Sequence, residues 1–204
     1  MRAFARSIHL ANRESWSIDD AMTLADELIS DSYLETKSVG IEIVACYRRD
    51  FAPKLLARWK RWLSRNHSAN WATTDAICGA LIGPLLVKRP ELAQQMRAWS
   101  KDQNIWVRRA SIVALIPLVR KGAVLDLTYE IAARLHGDKE DLIQKAVGWT
   151  LREAGKANMR RLERYLLDHG PKIPRTTLRY AIERFPKTTR RELLAATRCV
   201  RPRM

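Results

Sequence analysis

The chain is poor in cysteine and histidine, and that scarcity narrows its chemistry before any motif is considered. Its three cysteines, Cys46, Cys78 and Cys199, are odd in number and far apart, and no two form a CxxC pair. Such spacing builds neither a disulfide framework nor a thiolate metal site. Cys46 and Cys78 sit among apolar neighbours, which predicts reduced, buried thiols in a cytoplasmic protein. The four histidines, His9, His67, His136 and His169, are scattered. No metal site is therefore expected. Long apolar runs are also missing. The longest, Ala76 to Val87, is interrupted by Gly79, Gly83 and Pro84 and is too short to span a bilayer. The N-terminus lacks an apolar signal core, so secretion is not expected. No segment alternates as a half-buried strand does.

What is present is a chain of 204 residues, 47% of them hydrophobic. That is enough for one domain, 1–204, with a continuous core. The formal charge is +15 and the pI about 10.3, which favours a polyanionic partner, nucleic acid being the commonest, against the plainer readings of solubility charge or an acidic membrane surface. The charge is graded: residues 1–50 carry −3, residues 51–155 carry +8 and residues 156–204 carry +10. A phosphate backbone would therefore lie towards the C-terminal part.

Helix starts are legible. Ser17 precedes Ile18-Asp19-Asp20, an N-cap with acids in the first turn. Pro53, Pro90 and Pro174 stand where helices begin. Asn70, Asn104 and Asp138 each precede an apolar-periodic run and can cap it, and they recur at 34-residue intervals. Two helices per period of that size is the pattern of HEAT-like solenoids. The expected pairs are 35–50 with 53–65, 70–87 with 90–100, 104–120 with 123–136, 138–154 with 157–169, and 173–185 with 188–198. One or two helices precede them. Pro84 and Pro117 fall in the first helices of successive pairs and should bend them alike. The expected architecture is an all-α, right-handed curved solenoid with a concave basic face. Such a groove can work as a monomer.

Seven tryptophans are many for this length. Trp16, Trp59, Trp62 and Trp99 read as packing residues. Trp71, Trp106 and Trp149 lie in the first helices of successive pairs, each beside a charged group: Asp75 four residues after Trp71, Arg108 and Arg109 after Trp106, Lys145 and Arg152 flanking Trp149 on one face. Equivalent helices of a solenoid point the same way, so these can converge. Each also has a plainer reading, since a tryptophan in a helical repeat is more often core and an acid near a helix start is favoured by the helix dipole. Asp75 resists that reading. A carboxylate on a basic face opposes phosphate binding, and stabilising a developing positive charge is a reason to keep one there.

Four segments carry a resemblance. Lys145 to Glu153, KAVGWTLRE, resembles the KAIGWALRE-type segment of the HEAT-like alkylpurine DNA glycosylases, the AlkD-type DNA alkylation repair family. Asn104 to Ala110, NIWVRRA, resembles that family's NxWxRRA segment. Arg175 to Ala181, RTTLRYA, resembles its SRxxLRYA-like helix, and Trp71 to Asp75 matches the core of its WWDxVD segment. They occur in the family's order over roughly 35–185. Asn70 and Ala72 depart from the family's first Trp and first Asp, and the first fifty residues match poorly.

The resemblance implies roles. Asp75 would be the catalytic carboxylate, Trp71 and Trp149 the aromatics flanking the damaged nucleotide's sugar, and Arg109 the arginine beside them, with Arg108 the competing position. Arg152 would touch the DNA backbone. The implied reaction is metal-free hydrolysis of the N-glycosidic bond of N3- or N7-alkylated purines in duplex DNA, leaving an abasic site. Recognition would run through backbone and sugar rather than a tight base pocket. Arg108, Lys145, Arg160, Arg161, Arg164, Arg175, Arg179 and Arg184 are the further candidate phosphate contacts. Two rivals compete: a non-catalytic solenoid binding damaged or branched nucleic acid, and a scaffold for an acidic protein. An Asp75 buried inside the stack and paired to a core arginine would favour the first rival.

Overall fold

The computed structural model describes residues 1–197; Cys199 and position 198, the end of the last expected helix, lie outside them. Among the described residues the chain is helical, with no strand. In order, the helices are α1 (Arg2–Asn12), α2 (Ile18–Leu28), α3 (Leu34–Cys46), α4 (Lys54–Ser64), α5 (Trp71–Ile77), α6 (Gly83–Lys88) and α7 (Met96–Trp99). Then come α8 (Ile105–Val113), α9 (Ile116–Val119), α10 (Leu125–Leu135), α11 (Asp141–Ala157), α12 (Met159–His169), α13 (Arg175–Ala181) and α14 (Lys187–Ala196). The π turn Cys78–Ile82 joins α5 to α6, and a 3-10 turn, Pro90–Gln95, leads into α7.

The caps account for where these helices start. Ser17 and Asp20 form a capping box at α2. The Asn70 side chain accepts a hydrogen bond from the Thr73 N–H at 2.8 Å, and that of Asn104 accepts one from the Trp106 N–H at 2.8 Å. Both asparagines satisfy amides that a helix start leaves without partners. Asp138, the third expected cap, does not cap α11, which begins after Glu140. Its carboxylate accepts from the Glu140 N–H and from Arg108. The period holds there while the side chain has been recruited for a tertiary contact.

The regular α-helical pattern is interrupted just before each proline, by the π turn ahead of Pro84 within a continuous helical run and by the turn between α8 and α9 ahead of Pro117. The two interruptions abut: a Cβ at Gly83 would come within 2.8 Å of Pro117 Cγ.

First helices stack on first helices: α3 packs on α5, α5 on α8, α8 on α11 and α11 on α13. A second layer includes α7, α10, α12 and α14; α7 meets α10, and α12 meets α14. Because each pair sits on the next, polar bonds between them join residues about one repeat apart. Arg109–Asp75, Arg97–Glu130, Arg120–Glu153 and Arg108–Asp138 are separated by 34, 33, 33 and 30 residues. One buried apolar cluster runs from Met22 to Leu193 and includes Trp59, Trp62 and Trp99. A smaller one, with Ala5, Ala21, Val39, Ile43 and Tyr47 at its centre, seats α1 against α2 and α3. Cys78 is buried as expected, and burial pushes its thiol well above the ordinary range; Cys46 is only half-buried.

Candidate functional site

A cavity of about 420 Å³ opens on the first-helix layer, lined by Trp71, Asp75, Arg109, Leu142, Lys145, Trp149, Arg152 and Tyr180. Four helices contribute. Trp71 and Asp75 sit on one face of α5, one helical turn apart, and Arg109 comes from α8. Lys145, Trp149 and Arg152 share a face of α11, and Tyr180 closes the far side from α13.

Arg109 is the most constrained of these groups. Its Nε and Nη2 donate to Asp75 Oδ1 and Oδ2, both at 2.8 Å, and its Nη1 donates to the Leu142 carbonyl. The two-pronged pairing fixes the carboxylate plane as well as its position. The guanidinium is nearly buried, at 6% exposure, whereas the carboxylate keeps 16% and lines the cavity. Burial pushes the Asp75 carboxyl above its ordinary value, and the hydrogen bond and charge of Arg109 only partly pull it back.

The two tryptophans differ. Trp71 is 54% exposed, a large indole left in solvent at the helix start. Trp149 is half-buried and packs on the core behind the cavity. Trp106 packs on the core and does not line the cavity. At Gly148 a side chain is excluded, because a Cβ there would lie 2.5 Å from Tyr180 Cβ and 2.6 Å from the Thr177 carbonyl. That close approach brings α13, and with it Tyr180, up to the cavity.

Sequence reasoning named Asp75, Trp71, Trp149, Arg109, Lys145 and Arg152, which the structure brings together, and missed Tyr180 and Leu142. The available signal was an aromatic next to Arg179 within the Arg175–Ala181 segment. Arg108, one residue from Arg109, points elsewhere: it pairs with Asp138 at 2.7 Å and donates to the Asp102 and Gln103 carbonyls. Lys145 pairs with Asp141 at 2.6 Å, and Arg152 bonds to Glu183. Arg175 donates to Leu194 and Thr197, tying α13 to the chain around α14, while Arg179 is exposed with no partner among the described residues. Arg184 is exposed. Arg160, Arg161 and Arg164 do not join the cavity; they line a separate cleft on α12 in the second layer.

No metal site accompanies the cavity: among the described residues no three His, Cys, Asp or Glu side chains come together as a ligand set. Nor is any described helix long and apolar enough to cross a membrane.

A stack of helix pairs carrying an open, aromatic-walled cavity around a fixed carboxylate defines a helical-repeat protein with one polar groove on its first-helix layer. The chain belongs to the DNA alkylation repair enzyme family, whose model matches residues 1–185. That match begins ahead of the 35–185 span in which the four motifs occur and takes in α1 and α2. The fold is similar to that of a solved structure described as "Predicted DNA alkylation repair enzyme from Enterococcus faecalis", at a TM-score of 0.80 and 18% identity, covering 91% of this chain and 84% of that one. No curated protein sequence matches the chain.

Proposed function

We propose that the protein is a monofunctional DNA glycosylase that releases cationic N3- and N7-alkylated purines from duplex DNA. The observation that carries this reading is the Asp75 carboxylate, held in plane by Arg109 and open to a cavity flanked by Trp71 and Trp149. Alkylation at N3 or N7 places a positive charge on the purine. As the glycosidic bond breaks, its electron pair leaves with the base and C1′ gains oxocarbenium character. A carboxylate already oriented there stabilises that charge without reorganising. Indole faces attract a cation as well. Water then adds to C1′, its proton passes to solvent, and an abasic site remains. The reading needs no metal or cofactor and places the enzyme in the cytoplasm, acting as a monomer.

As the family resemblance implies, recognition would run through backbone and sugar rather than a tight base pocket. Duplex DNA would lie along the first-helix layer, the basic concave face of a right-handed curved stack in this reading. Lys145, Arg152 and Arg179 are the phosphate contacts best placed for it. Lys145 and Arg152 would exchange Asp141 and Glu183 for phosphate, whereas Arg108 and Arg175 also bond backbone carbonyls and are the less available candidates.

One observation favours the non-catalytic alternative. Asp75–Arg109 is a rung of the inter-repeat ladder of ion pairs, so it satisfies both groups without any ligand. The pairing half of the criterion for that rival is met. The burial half is not, because the carboxylate lines the cavity.

The deciding experiment measures 7-methylguanine and 3-methyladenine released from methylated duplex DNA by the protein and by Asp75→Asn. Asn keeps an acceptor for Arg109, and the folding midpoint and DNA affinity are measured in parallel. A fall of about a hundredfold or more with affinity retained supports the glycosylase. DNA binding without release from either protein supports the rival.

A further inference from the structure

The second layer holds a cationic cleft that the proposed base-release chemistry does not use. It measures about 640 Å³ and is lined by Tyr129 of α10, the cap Asn158, and Arg160, Arg161, Arg164, Tyr165 and Asp168 of α12. Arg160 and Arg164 lie one helical turn apart on the same face, both exposed and without an ion-pair partner among the described residues. Arg161 lies over the Tyr129 ring, 4.8 Å from its centroid, and is tethered to Asp126.

The floor is made of two tyrosines with ring centroids 4.7 Å apart. The Tyr165 hydroxyl is satisfied by His136 Nε2 at 2.7 Å. The Tyr129 hydroxyl has no partner, although the residue is only 6% exposed. Its donor is unused, and an acceptor entering the cleft would satisfy it. Two free guanidiniums, a third held in place and a hydroxyl donor are suited to phosphate oxygens. Asp168 alone opposes them.

We propose that this cleft binds phosphates of a nucleic-acid strand. It would give the protein a second DNA contact on the layer opposite the Asp75 cavity, so that one molecule holds two duplex segments. The cleft is open, and its free guanidiniums are exposed at the surface, where phosphate oxygens are the first groups of a strand they would meet. It would therefore take a backbone without regard to sequence.

The test loads the full chain on an immobilised duplex and measures capture of a labelled second duplex across a salt series. Capture is expected to fall about tenfold in Arg160→Ala/Arg164→Ala, with its log–log salt slope reduced by about two. Affinity for the first duplex and base release should not change. Tyr129→Phe, which removes only the hydroxyl, is expected to lower capture about threefold at an unchanged folding midpoint. Three results would each overturn the proposal. The protein captures no second duplex, or the double variant captures it as well as the parent, or calorimetry shows pyrophosphate bound by the parent and lost in the variant while second-duplex capture is absent. The last would make this a site for small phosphorylated molecules. None of these readouts depends on whether the protein releases bases.

Discussion

The two helix layers each carry a cationic depression, and the two are built for different tasks. The first-layer cavity surrounds a carboxylate with two indoles, a tyrosine and arginines already engaged by other side chains. The second-layer cleft places two unengaged arginines over tyrosines. An anion entering the first meets a fixed negative charge, whereas one entering the second meets free positive charge and an unsatisfied hydroxyl. The first is thus suited to a centre that becomes positive during reaction, the second to a phosphate that stays negative. Net charge would have called both the same thing.

The sharpest way to break this contrast is to move the same assay between layers. Asp75→Asn should lower base release about a hundredfold or more, while Arg160→Ala/Arg164→Ala leaves it alone. Equal losses from both would erase the distinction. The acid limb of the base-release profile belongs to the same test. Only the ionised carboxylate stabilises a cation, so the rate falls as pH drops through the Asp75 pKa. Burial has raised that pKa, and the fall should therefore begin at a higher pH than for an ordinary aspartate and vanish from the residual activity of Asp75→Asn.

Beneath the second-layer cleft, His136 should dominate acid sensitivity of the fold. Burial first, and the neighbouring His169 second, push its pKa down to about 4. The unfolded chain binds a proton near the ordinary histidine value of 6.5, so between these limits it is the unfolded state that gains protons. Stability is whole above about 6.5 and declines as pH falls towards about 4, by on the order of 3 kcal/mol. Urea midpoints across that window should decline less in His136→Gln.

Gly148→Ala tests the first layer by geometry rather than charge. The added methyl must push Thr177 and Tyr180 away, at about 1–3 kcal/mol of stability. DNA affinity should fall with it if Tyr180 and Arg179 belong to the binding face. A normal midpoint with normal affinity would remove α13 from the site.

The smallest effect separates the indoles. Trp71→Ala should lower base release about tenfold, as expected for a lost cation–π partner, with little change in thermal midpoint because the ring is largely exposed. Trp149→Ala should lower both, since that indole also packs on the core. A stability loss from Trp71→Ala would place that residue in packing rather than in recognition.

Much of this arrangement was legible beforehand. The 34-residue recurrence of Asn70 and Asn104 marks helix starts because a capping side chain acts on amides two or three residues away. Such local chemistry is visible in sequence. Asp75, Trp71, Lys145, Trp149 and Arg152 were legible for a related reason: equivalent positions on stacked helices face the same way. Asp138 shows where the rule stops. It keeps the period and a suitable side chain, yet its oxygens are turned to Arg108 and to the loop.

What the sequence determined by itself was therefore the local part: helix starts, the repeat length, the interruptions at Pro84 and Pro117, and the side chains able to meet on the first layer. The tertiary structure alone decided between neighbours. Arg108 and Arg109 differ by one position, about a hundred degrees around a helix, and only packing against α5 and α11 turns the second towards Asp75 and the first towards Asp138. It likewise separated Arg160, Arg161 and Arg164 from the cavity and brought Tyr180 in through the close approach at Gly148. Charge and periodicity specify what a helix presents. Which neighbour receives it depends on how the helices are stacked, and that is settled by burial of the apolar cluster between them.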